Sequence, residues 1–265
     1  MTASLAAPPL GVTTWFLPRR GAGALEWAKC AGFEAVHFDR NDLAVSTPAG
    51  FRSAADALGV NLAGLSVVEI EHLGIASPEA RDAVTAAIDM AVHLSVTFVY
   101  LPAFGAAALR DGEALSLMAN LLEHAVKRAD GTSLTVATEN DLDSKELLTL
   151  FSLLPCDRVE LLFDTQNPVM VGLDPLTLIE MAGHHVKTFA HVKDGVNELG
   201  DCRIGDGCAR VSESIGALVN AGFDGTFVLE SDYRTGNIQS ARLDQNRVRQ
   251  FAEQGKGVRV DVDED

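Results

Sequence analysis

Eight short apolar runs recur along the 265-residue chain, at 10–15, 35–39, 61–67, 97–102, 133–140, 159–164, 186–194 and 226–231. Each is followed by a segment with helical periodicity: 24–30, 48–58, 78–94, 112–129, 145–153, 175–182, 211–221 and 238–253. This alternation constrains the fold more than any other feature. A strand that returns parallel to its predecessor needs a crossover of a dozen or more residues, and a helix is the usual one. Eight strand–helix units in a chain of this length predict the α/β class and a single (β/α)8 barrel, the TIM barrel. An open sheet built for a dinucleotide would want GxGxxG after its first strand. Here Arg19-Arg20-Gly21-Ala22-Gly23 lacks the third glycine.

The punctuation agrees with this reading. Thr47-Pro48 and Ser77-Pro78 place a capping hydroxyl before a first-turn proline, and Gly32 and Gly222 follow helical segments as stops. With 47% hydrophobic residues one domain can bury a full core, and no linker or repeat interrupts 10–253. Residues 10–254 are therefore assigned to the barrel, 1–9 to an N-terminal tail and 255–265 to an acidic C-terminal tail.

Lys and Arg number 21 against 37 Asp and Glu, a formal charge of −16. Such a surface repels phosphate backbones and anionic lipid, so neither nucleic acid nor a membrane is an expected partner. A homo-oligomer is compatible with it. Cys30, Cys156, Cys202 and Cys208 form no paired CxxC pattern, which fits reduced thiols. Residues 1–10 lack a basic and then apolar leader, and no run approaches the roughly 18 apolar residues of a membrane span. The expected location is the cytoplasm.

Chemistry concentrates where the later strands end. Val136-Ala137-Thr138-Glu139, Leu161-Leu162-Phe163-Asp164 and Phe227-Val228-Leu229-Glu230 each close on an acid, and Phe189-Ala190-His191 closes on histidine. The carboxyl ends of barrel strands are where such folds carry their sites. Residues two apart share a strand face. If the bulkier apolar faces pack on the helices, Glu139, Asp164 and Glu230 point inward, with His191 in phase with Phe189. Three clustered carboxylates cannot all stay ionised without a cation. One imidazole and three carboxylates make a nitrogen–oxygen shell suited to one divalent metal, Mn²⁺, Mg²⁺, Co²⁺ or Zn²⁺.

At these residues the chain resembles the xylose isomerase-like superfamily of sugar isomerases and epimerases. The resemblance follows the rhythm of 10–230 and is specific over 133–233. Its marks are Ala137-Thr138-Glu139-Asn140, Phe163-Asp164-Thr165-Gln166-Asn167-Pro168, His191-Val192-Lys193-Asp194, Ile204-Gly205-Asp206-Gly207 and Leu229-Glu230. It implies that Glu139, Asp164, His191 and Glu230 hold one divalent ion, Mn²⁺ first. It also implies that Glu139 and Glu230 move the substrate proton. Two departures stand out. Asn167 occupies the place, three residues past the aspartate, where many ketose epimerases carry histidine. His37 stands where the second strand often ends in glutamate.

Other residues complete the expected site. His37 and Asp39 share a strand face and line the mouth, and Trp15 offers a sugar a flat wall. Asn167 is expected at the substrate. Lys193, in phase with His191, either steadies an enediolate as a catalytic group or pairs with Asp194 or Glu198. Arg203, in the seventh strand–helix loop, and Arg234 are candidates to grip an anionic group, although Asp206 argues against a strong phosphate cradle. Glu69, Glu71 and His72, after the third strand, are within reach of the substrate but read more readily as a polar loop. The expected function is a metal-dependent isomerase or epimerase of a small sugar or polyhydroxy carbonyl compound, working by proton transfer through an enediolate. The rival is a metal-dependent dehydratase or lyase on a keto-polyol or dehydroshikimate-like substrate. An apurinic-site endonuclease would want a histidine-rich zinc cluster and a cationic face, against seven histidines and a charge of −16. A non-catalytic sugar-binding barrel is the remaining alternative.

Overall fold

In the computed structural model, which describes residues 8–154 and 158–256, every strand pairing is parallel. The strands are β1 (Leu10–Thr13), β2 (Ala35–Asp39), β3 (Asn61–Ser66), β4 (Phe98–Pro102), β5 (Thr135–Glu139), β6 (Val159–Leu161), β7 (Phe163–Asp164), β8 (Phe189–Val192) and β9 (Thr226–Leu229). Their order is β6-β5-β4-β3-β2-β1-β9-β8-β7. The two ends of that order are halves of one segment, so the sheet comes round on itself as a barrel with helices between strands.

The sixth strand expected at 159–164 is thus divided at Leu162, and the division aims its end. β6 pairs with β5, and the Leu162 N–H still donates to the Thr138 carbonyl at 2.9 Å. β7 pairs instead with β8, which sets Asp164 opposite His191. Lower in the barrel the Glu160 carboxylate spans the resulting gap, accepting from the Thr188 N–H at 2.9 Å and its hydroxyl at 3.0 Å.

The helical punctuation is as expected. The Thr47 hydroxyl accepts from the Gly50 N–H and the Ser77 hydroxyl from the Ala80 N–H, each satisfying an orphan donor of a first turn. Gly32 closes its helix at φ 95°, a left-handed conformation that costs glycine nothing. The last helix, Ile238–Lys256, is followed to the end of the described residues, and near that end Gly255 packs against Gly216. A Cβ on Gly255 would stand 2.8 Å from the Gly216 Cα. Cys156, and the expected tails apart from Pro8, Pro9, Gly255 and Lys256, lie outside the described residues.

Alternation along the strands divides the core in two. Leu134, Val136, Leu161, Phe163, Phe227 and Leu229 face the helices, whereas Ala137, Leu162, Phe189 and Val228 join Phe98 and Tyr100 inside the barrel. The barrel is filled below, so a ligand can enter only from the strand carboxyl ends. No helix among the described residues is long and apolar enough to cross a membrane.

Candidate active site

Ala137, Leu162, Phe189 and Val228 each lie two residues before an expected ligand and belong to the inner core. The next inward positions are therefore Glu139 and Asp164, the last residues of β5 and β7, His191, the last but one of β8, and Glu230, just past β9. All four are buried, and each offers a ligand atom within 4.8 Å of the others. The structure brings together the four residues read from the strand ends.

Their neighbours hold them in place. Asp164 Oδ1 accepts the backbone N–H of Gln166 at 2.8 Å and of Asn167 at 2.7 Å. Asn167 Nδ2 donates to Glu139 Oε1 at 2.9 Å. Glu230 is held at both oxygens, by the Trp15 indole N–H at 2.8 Å and by Lys193 Nζ at 2.9 Å. Lys193 also lies 3.4 Å from Asp164 Oδ2. The Thr165 hydroxyl donates to the Lys193 carbonyl at 2.7 Å and accepts its N–H at 3.1 Å, stitching β7 to β8.

Electrostatically the cluster is a balance of opposite charges. Burial pushes the Asp164 carboxyl up to about 6 despite the pull of Lys193, with Glu230 and Glu139 adding to the rise. Burial acts the same way on Glu230, but Lys193 and His191 overcome it and hold that carboxyl well below the usual range. Burial alone would lower His191, and Glu139 and Glu230 instead carry it up to about 10. Lys193 is likewise raised, against its burial, by Asp164, Glu230 and Glu139.

Two polar atoms in this cluster lack a hydrogen-bond partner among the described residues, Asp164 Oδ2 and His191 Nδ1. His191 Nδ1 lies 3.2 Å from Glu230 Oε2 and 3.6 Å from Glu139 Oε1, without hydrogen-bond alignment to either. Buried polar atoms are normally paired, and these two belong to residues of the 4.8 Å cluster. A divalent cation fits this donor set, and its charge would replace that of the His191 proton.

Above the cluster opens a cavity of about 420 Å³. Glu139, Glu230 and Lys193 line it together with Trp15, Asn167, Asp39, Glu71, Tyr100 and Phe104. Trp15 and Asn167, expected at the substrate, are therefore at the cavity wall. His37 and Arg203 are not. His37 sits one layer deeper, fully buried, with Nδ1 3.0 Å from His191 Nε2. Arg203 turns to the last helix, its Nε 2.7 Å from the buried Asp244 carboxylate. Arg234 folds back on Asp232, at 2.9 and 2.6 Å. The glycine loop that could have cradled an anion is filled from within, because Asp194 accepts the N–H groups of Gly195, Gly205, Gly207 and Ala209.

Asp39 reaches the cavity neutralised by Arg20, which grips it at 2.8 and 3.0 Å. Glu71 also reaches it, although 69–72 read as a polar loop: the residues after β3 form the short helix Ile70–Leu73 beside the mouth. Tyr100 was overlooked, yet its parity with Phe98 on β4 places it inward, and that signal could have found it.

A family model described as the xylose isomerase-like TIM barrel matches residues 25–252. The chain is 30% identical over 254 residues to a 2-epi-5-epi-valiolone 7-phosphate 2-epimerase of Actinoplanes sp., covering 92% of this chain and 94% of that one. An L-ribulose 3-epimerase structure superposes with a TM-score of 0.75 at 15% identity, covering 98% of this chain and 100% of that one. The IolI protein with a bound zinc atom superposes with a TM-score of 0.70 at 13% identity, covering 94% and 96%. At such identities the two structures speak for the fold.

Proposed function

The chain belongs to the xylose isomerase-like TIM barrel family, and we propose that it is an isomerase or epimerase that moves a proton at the carbon beside the carbonyl of a small polyhydroxy ketone. One observation carries this reading. Glu139 and Glu230 both line the cavity while sharing a 4.8 Å cluster with Asp164 and His191. Its support from relatives is the epimerase at 30% identity over nearly the whole chain. The donor set Glu139, Asp164, His191 and Glu230 would hold one divalent ion, Mn²⁺ by preference, which when bound polarises the substrate carbonyl and acidifies the neighbouring C–H.

The residues divide the remaining work. Glu139 has one oxygen fixed by Asn167, and no described residue hydrogen-bonds the other. That free oxygen suits Glu139 to take the proton. Glu230, engaged by Trp15 and Lys193, delivers a second proton to the carbon once it has been protonated from solvent, and acts as the base in the reverse direction. Among the described residues Lys193 is the only Lys or Arg lining the cavity, and its ammonium offsets negative charge that develops on the substrate oxygens. Trp15, Tyr100 and Phe104 give the substrate apolar walls, and Asp39 and Glu71 accept from its hydroxyl groups.

The test is product analysis. Protein stripped with chelator and reloaded with Mn²⁺ is incubated with free and phosphorylated ketoses and polyhydroxylated cyclohexanones. An isomer of unchanged mass, formed only with metal, is expected. A product lighter by one water would make the chain a dehydratase, and no product from any substrate would defeat the proposal.

A further inference from the structure

Beneath the carboxylate cluster lies an imidazole that this reaction does not use. His37, in the middle of β2, is fully buried inside the barrel. Its Nδ1 is 3.0 Å from His191 Nε2. Its other neighbours are rings: Phe189 edge-on at 4.7 Å, Tyr100 at 5.6 Å and Phe98 at 5.9 Å between centroids. Among the described residues no carboxylate hydrogen-bonds it, and its Nε2 has no partner. Room for the ring comes from Gly64, its register partner on β3, where a Cβ would stand 2.6 Å from His37 Nε2.

Two imidazole nitrogens at this distance share one proton, so one ring donates and the other accepts. His191 determines which. Its Nδ1 faces Glu139 and Glu230, and to offer a cation a lone pair there the neutral ring must carry its proton on Nε2. That N–H points at His37, whose Nδ1 must then accept. A neutral His37 accepting at Nδ1 carries its own proton on Nε2, against Gly64 and the surrounding rings.

We propose that His37 is a positioning residue that holds His191 in the Nε2–H tautomer, with the Nδ1 lone pair presented to the metal site. Histidine ligands commonly give their second N–H to a carboxylate, a carbonyl or water. A neutral imidazole performs that task here without adding a fourth negative charge beside Glu139, Asp164 and Glu230. This inference rests on the reading of those three residues and His191 as a metal site.

The experiment has two readouts. Long-range ¹H–¹⁵N spectra of histidine-labelled protein report each tautomer, without metal and with Zn²⁺ as a diamagnetic probe. With Zn²⁺ bound, His37 should be the neutral Nε2–H tautomer, and His191 should carry Nε2–H while Zn²⁺ occupies Nδ1. Zn²⁺ affinity is the second readout. His37→Phe keeps a ring but removes the acceptor and should weaken binding ~10–100-fold, the usual cost of losing such a partner. His37→Gln restores an acceptor oxygen and should recover part of the loss, whereas a packing role alone would lower the melting temperature without separating the two variants. An Nδ1–H tautomer at His37, or equal Zn²⁺ affinity in wild type and His37→Phe, would overturn the proposal. Should wild type take up no Zn²⁺, the metal reading falls and this proposal with it, whereas Zn²⁺ uptake with an Nδ1–H tautomer at His37 overturns this proposal alone. The spectra need only wild-type protein, so they decide even if a variant fails to fold.

Discussion

Asn167 donates from its side-chain Nδ2 to Glu139 Oε1 at 2.9 Å, leaving the other carboxylate oxygen without a hydrogen-bond donor among the described residues. Its own backbone N–H is anchored on Asp164 Oδ1 at 2.7 Å, so the amide is delivered from a fixed point. Asn167→Ala should lower kcat by ~10–100-fold, the equivalent of losing one hydrogen bond to a charged group. Asn167→Asp should cost more, because a carboxylate would then oppose Glu139. Initial rates with saturating metal check both, and unchanged rates would leave Asn167 without a role in the proton transfer.

Trp15 holds Glu230 by a single indole N–H at 2.8 Å and is itself only partly buried. Trp15→Phe keeps an aromatic wall and removes the donor. It should reduce kcat/KM by roughly 10-fold while changing stability by less than about 1 kcal/mol. Steady-state kinetics beside thermal melts separate the two effects.

Glu71 enters the cavity without a hydrogen bond from any described residue. Burial pushes its carboxyl from 4.5 up to about 7, with Glu139 and Glu230 adding to the rise and Lys193 opposing it. The folded chain thus binds this proton more tightly than the unfolded one. The associated stability is present below about 4.5 and is lost as the pH rises through about 7. In chelator-treated protein, Glu71→Gln should raise the melting temperature above pH 7 and make little difference at pH 5. The same shift at both pH values would contradict the raised carboxyl.

Arg203 is a structural residue by its contacts. Its guanidinium and the Tyr233 hydroxyl, at 2.7 and 3.1 Å, are the side-chain partners of Asp244, which is 1% exposed. Arg203→Ala should destabilise the fold by about 1–2 kcal/mol, a charged hydrogen bond discounted for the partial exposure of the arginine. KM for phosphorylated and neutral substrates should move together. A selective rise for phosphorylated substrates would restore Arg203 as an anion contact.

These residues also mark how far the sequence can be read. Glu139, Asp164, His191 and Glu230 were legible because strand parity and the polar carboxyl end specify direction and height together. His37 has inward parity too, but parity says nothing of depth along the barrel axis. A register irregularity beside it and the side-chain space left by Gly64 let the ring lie below the site. The interruption at Leu162 was invisible because an apolar run does not say which neighbour each half will pair with. Arg203 and Glu71 depend on partners remote in sequence: Asp244 lies 41 residues on, and the helix of Glu71 packs beside Gly105. Loop direction is decided by such contacts rather than by local pattern.

The central claim is that Glu139 and Glu230 exchange a proton at the carbon beside the substrate carbonyl. Once product analysis has identified a substrate, incubation in deuterium oxide measures this directly. Wild-type enzyme loaded with Mn²⁺ should wash deuterium into that carbon. Metal-loaded Glu139→Gln and Glu230→Gln, which keep size and an oxygen ligand, should each lose the exchange by ~10²–10⁴-fold, the scale of a missing acid–base group. Exchange at the wild-type rate in both variants would contradict the account and leave these glutamates as ligands only.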